Sequence, residues 1–180
     1  MDQDLMLWSF IQTFQQSPYK YLYMNQMLEA LEQIEVFGRD QLIAKLIEIN
    51  PTFSNWLEKL LPVTQEIFNR ESENIRPGIH FVFYGQKNFP LPLRKMSDPP
   101  LALSFQGDLS FISQFAISVV GSREPDELTR DWMQTELYHF LKSHRPSVIS
   151  GGARGVDQKA HMISTLLEIP TVVVLPSGLG

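Results

Sequence analysis

Apolar positions in the first 75 residues recur at helical spacing. Leu5, Leu7, Trp8, Ile11 and Phe14 form one stripe, Leu28, Leu31 and Ile34 a second, and Leu42, Ile43, Leu46 and Ile47 a third. Pro51, directly after Asn50, predicts a stop and restart; Trp56, Leu57, Leu60 and Leu61 predict a further short helix, with Pro62 as punctuation. The pattern then changes. Ile79 to Tyr84 is rich in β-formers, and Leu101 to Phe105 is a second short strand closed by the turn Gln106-Gly107-Asp108. Pro90, Pro92, Pro99 and Pro100 exclude regular interior strands between them.

From residue 114 short apolar runs alternate with helical ones. Strand 115–120 precedes a helix near 126–143, whose apolar face is read as Leu128, Trp132, Leu137, Phe140 and Leu141. Pro146 ends it, strand 148–150 follows, then a helix from Val156 to Glu168, Pro170, and strand 171–175. This order predicts the α/β class with a parallel, doubly wound sheet. The chain thus reads as a small helical domain over 1–76, a β- and proline-rich connector over 77–113, and an α/β domain over 114–180. The connector is expected to feed an additional edge into the sheet that follows it.

Charge sharpens that division. Residues 1–76 hold six Lys/Arg against eleven Asp/Glu, whereas residues 114–180 hold six against seven. The overall charge of −5 argues against a binder that wraps nucleic acid over its whole surface, so an anion site in the second half must be a local cluster. The chain has no cysteine, which excludes disulfides, thiolate catalysis and cysteine zinc sites and fits a cytoplasmic protein. No apolar run approaches the roughly 20 residues of a membrane span, and the acidic start lacks the basic region of a secretory signal.

The candidate chemistry lies in two strand-to-turn junctions. Strand 115–120 runs into Gly121-Ser122-Arg123, and strand 148–150 into Gly151-Gly152-Ala153-Arg154-Gly155. Parallel neighbouring strands would place both turns on one sheet edge, where ligands of open α/β sheets bind. There, backbone amides, a helix N-terminus and two guanidinium groups can converge on phosphate. Ser122 can donate its hydroxyl to a phosphate oxygen or cap the next helix. The second turn is neither a dinucleotide fingerprint nor a P-loop, and taken alone it also reads as plain turn chemistry. Asp157 and His161, four apart, share one helix face; they read as structural, and two candidate ligands without a third are no metal site. No nucleophile–base pair or other catalytic set stands out, and no cofactor is implied.

Three motifs in order then resemble a known family. Asp98 to Asp108, Val120-Gly-Ser-Arg-Glu-Pro125, and Ile149 to Asp157 followed by Ala160-His161 resemble the DNA-processing protein A (DprA, or Smf) family over about residues 78–180. Phe89-Pro90-Leu91-Pro92-Leu93 is similar to its upstream tyrosine-proline element, with Phe in place of Tyr. The resemblance implies a Rossmann-like domain that binds single-stranded DNA without catalysis, protects incoming strands in natural transformation, and helps load a RecA-type recombinase. A homodimer is among its implied assemblies. Phosphate contact is implied for Gly121, Ser122, Arg123, Gly151, Gly152, Arg154 and Gly155. It also implies a sheet continuing beyond the third strand, so the chain reads as truncated. The rival reading is an enzyme of the nucleoside-monophosphate phosphoribohydrolase type, of whose P-G-G-x-G-T run Pro176-Ser-Gly-Leu-Gly180 is a faint echo.

Overall fold

A computed structural model describes residues 2–175. Contacts divide the chain between Gln106 and Gly107 into two compact units. In the first, helices α1 (Asp2–Gln16), α2 (Lys20–Gln33), α3 (Arg39–Ile49) and α4 (Ser54–Asn74) enclose a core of Leu7, Phe10, Ile11, Phe14, Met27, Leu31, Leu42, Leu46 and Phe53. Asn50 ends α3, and its side chain accepts from Thr52 N at 3.1 Å to start a 3-10 turn at Pro51. Pro62 does not end a helix. It lies inside α4, which runs on for 21 residues. A proline there removes one helical hydrogen bond and costs about 3 kcal/mol; the packing of α4 along α1, with Leu60, Thr64 and Ile67 buried on both sides of Pro62, offsets that cost.

Strands β1 (His80–Phe83) and β2 (Ala102–Phe105) pair with each other, antiparallel, in a sheet of their own. They add no edge to the parallel sheet, contrary to the sequence reading. The reason is local: β1 packs on α1, with Trp8 and Phe81 5.5 Å apart, and on Phe37, which stacks on Phe83. Between the strands lies the one-turn α5 (Leu91–Arg94), whose Arg94 donates to Tyr84 O at 2.7 Å and Gln86 O at 2.9 Å.

The second unit is α/β. Strands β3 (Ala116–Ser118), β4 (Ser147–Ser150) and β5 (Thr171–Val173) are parallel and lie in sequential order. The first crossover is α6 (Glu127–Trp132), a π turn (Met133–Leu137) and α7 (Tyr138–His144); the second is α8 (Val156–Leu166). Met133, Leu137, Leu141, Val156, Ala160 and Ile163 form one core with Val148 and Ile169, against which Ile117 and Val119 pack. The buried face of the first crossover is therefore Met133, Leu137 and Leu141, whereas Leu128 and Trp132 are 78% and 52% exposed. Steps of four residues drift off one face of a regular α-helix, and the wider π turn absorbs the drift. A 3-10 turn, Leu109–Ser113, packs against all three strands.

Candidate functional site

Both glycine turns leave the carboxyl ends of adjacent parallel strands, and hydrogen bonds join them residue by residue. Val119 N donates to Ile149 O at 3.0 Å, and Ser150 Oγ donates to Val119 O at 2.6 Å. Further out, Val156 N, the first amide of α8, donates to Ser122 O at 3.1 Å. Glycine is required on both sides of this junction. A Cβ on Gly121 would lie 2.8–2.9 Å from three side-chain atoms of Val156, and one on Gly155 would lie 2.3 Å from Ser122 O. Gly152 and Gly155 also have φ of +72° and +88°, the left-handed region in which L side chains are strained.

The interlock places Ser122 and Arg123 beside Arg154 and Gly155. Arg123 and Arg154 are exposed, and among the described residues neither is ion-paired. Ser122 Oγ accepts from Glu124 N at 3.0 Å, which leaves its own proton free to donate. It does not cap the next helix. Asp126 does, accepting from Thr129 N at 2.8 Å, and its hydrogen bonds from Thr129 hold its carboxyl below the usual aspartate range. The amides expected to face an anion are partly committed inside the fold. Val156 N–H goes to Ser122, and Gly151 N–H goes to Asp157 Oδ2 at 3.1 Å.

Asp157 and His161 take separate partners. His161 Nδ1 lies 2.6 Å from Thr171 Oγ1, whose proton goes to Val148 O at 3.1 Å, so the ring nitrogen is the donor. Among the described residues, no three His, Cys, Asp or Glu side chains are grouped to hold a metal. No described helix is long and apolar enough to cross a membrane. A groove of about 720 Å³ runs along α8, lined by Gly152, Lys159, Met162, Leu166 and Val173. The segment Pro176–Gly180, which carries the faint phosphoribohydrolase echo, lies outside the described residues. Ser150, Val156 and Asp126 were not candidates from sequence; a buried polar strand end and a β-branched residue after glycine are ordinary features until the turns are seen together.

Comparison with known proteins gives the family and the fold. The sequence model of the DNA recombination-mediator protein A family matches residues 80–180. Protein Smf of Borreliella burgdorferi is 26% identical over 121 residues, covering 67% of this chain and 36% of its own. DNA processing protein DprA of Bacillus subtilis is 25% identical over 146 residues, covering 81% of this chain and 46% of its own. The chain thus spans less than half the length of these relatives. The X-ray structure of DNA processing protein A from Streptococcus pneumoniae superposes with a TM-score of 0.64 at 19% identity, over 95% of this chain and 58% of that one. That likeness shows the fold: a parallel α/β sheet preceded by a helical part.

Proposed function

This chain belongs to the DNA recombination-mediator protein A family, and we propose that its interlocked glycine turns hold the sugar-phosphate backbone of single-stranded DNA. Arg123 and Arg154 supply the charge, the Ser122 hydroxyl donates to a phosphate oxygen, and Gly121, Gly151, Gly152 and Gly155 let the two turns pack closely enough to present these groups together to the strand. The role is binding, not catalysis, and the contacts are to phosphate, so base preference is weak. The observation that carries this reading is the bond from Val156 N to Ser122 O, which brings two arginine-bearing turns to one sheet edge. In the cell, the whole protein would shield incoming strands in the cytoplasm and pass them to a RecA-type recombinase, acting as a homodimer.

The test is a titration of labelled oligo-dT against the chain, with AMP as competitor. Salt-sensitive binding that AMP leaves in place supports the proposal. Displacement of the strand by AMP would transfer the site to a small nucleotide, and no binding at low salt would remove the DNA assignment.

A further inference from the structure

We infer that Asp157 is a positioning residue, which sets the shape of the second turn and through it the placement of Arg154. Asp157 is 6% exposed, and its Oδ2 takes the Gly151 amide at 3.1 Å. The same oxygen lies 3.0 Å from the point that a Cβ on Gly151 would occupy, so the start of the turn rests directly on the carboxylate. This bond ties the first residue of the turn to the second residue of α8. It closes a ring with Arg154 at its midpoint, three residues from each end.

The two halves of that ring are held differently. The later half is secured by the bond from Val156 N to Ser122 O at 3.1 Å and by the helical bond from Lys159 N to Gly155 O at 3.0 Å. The earlier half is Gly151, Gly152 and Ala153: Ala153 O accepts from Gln158 N at 3.0 Å, and the two glycines before it are the freest backbone a chain can have. Among the described hydrogen bonds, the tie on those two glycines is the Asp157 carboxylate. Arg154 is exposed and has no ion pair among the described residues, so its placement comes from the backbone beneath it. A buried side chain that touches no strand can therefore govern how one is bound. What the turn is positioned for rests on the DNA-binding reading; that Asp157 positions it does not.

The experiment compares D157N and D157A in the full chain. It measures oligo-dT affinity, thermal melting, and hydrogen exchange of the amides from Gly151 to Gly155. Asn keeps an acceptor for the Gly151 amide, so D157N holds affinity within about twofold, whereas D157A weakens it about tenfold, the size expected for a lost hydrogen bond to a charged group. On an R154A background D157A adds nothing, because the two changes act on one contact. Equal weakening on both backgrounds, with a matching drop in melting temperature, would show a merely structural role and overturn the inference. A wild-type chain that binds no oligo-dT removes the DNA reading, and exchange then decides. Faster exchange in the turn of D157A with β4 amides unchanged supports positioning; unchanged exchange in the turn overturns it. If D157A does not fold, D157N decides in the same way: wild-type exchange in the turn supports the inference, and fast exchange overturns it.

Discussion

Gly155 stands so close to Arg123 that a Cβ on it would lie 2.7 Å from the Arg123 carbonyl oxygen, although 32 residues separate them in the chain. The first turn is thus one wall of the second. An interlock made of backbone atoms cannot be relieved by turning a side chain, and this makes the two turns one object with predictable failures.

Gly155→Ala meets both obstacles, the left-handed φ of +88° and the Ser122 carbonyl 2.3 Å from the new methyl. Stability should fall by about 2 kcal/mol or more, measured by denaturant unfolding, and oligo-dT affinity should fall with it. A chain as stable as wild type would show that the turns are not in contact.

Gly121→Ala should fail for a different reason, and one that can be repaired in part. The three atoms nearest its methyl all belong to the side chain of Val156, at 2.8–2.9 Å. Trimming that side chain to alanine removes both Cγ atoms and leaves only the Val156 Cβ of the three, at 2.9 Å. G121A/V156A should therefore recover part of the loss and be more stable than the sum of the single changes allows, by about 1 kcal/mol. Additive losses in the double-mutant cycle would count against the packing.

Replacing both Arg123 and Arg154 with alanine should weaken strand binding and flatten its salt dependence. Two lost phosphate contacts reduce the slope of log K against log salt by roughly 1.4 for a single strand. An unaltered slope would mean that these arginines face no phosphate.

Asp126 predicts a pH effect. Hydrogen bonds from the Thr129 side chain and backbone hold its carboxyl below the ordinary 3.8. A carboxyl depressed by folding contributes stability that is complete above its unfolded value and is lost as pH falls through its folded one. D126A should therefore be less stable than wild type at neutral pH, and the gap should close as the pH drops below 3.8. Unfolding curves taken across that range check the sign. A gap that persists in acid would mean that the cap does not depend on the carboxylate.

Much of the architecture was legible because it rests on local patterns. Helical stripes, the strand–helix alternation from residue 114 and the two glycine turns follow from periodicity and from residues that punctuate backbone. Errors arose where a distant neighbour decided. Pro62 reads as a breaker until α1 packs along α4. Trp132 reads as a core residue until the π turn puts Met133 on the inner face instead. The strands of the connector read as an edge for the next sheet until β1 finds β2 and α1.

By itself, the sequence determined which segments are helix and strand, where the chain turns, and the order of motifs that marks its family. These depend on residue type and on spacings of a few positions. Tertiary structure alone decided that Gly155 is glycine because Ser122 and Arg123 lie against it, that Val156 and Asp157 brace the turns, and that Asp126 rather than Ser122 caps the next helix. Most of those relationships join residues far apart in the chain, and the cap depends on backbone angles. The long-range contacts are not carried by residue type and exist once the strands lie side by side; the cap is a local choice between two capping side chains, made by the backbone angles at Asp126.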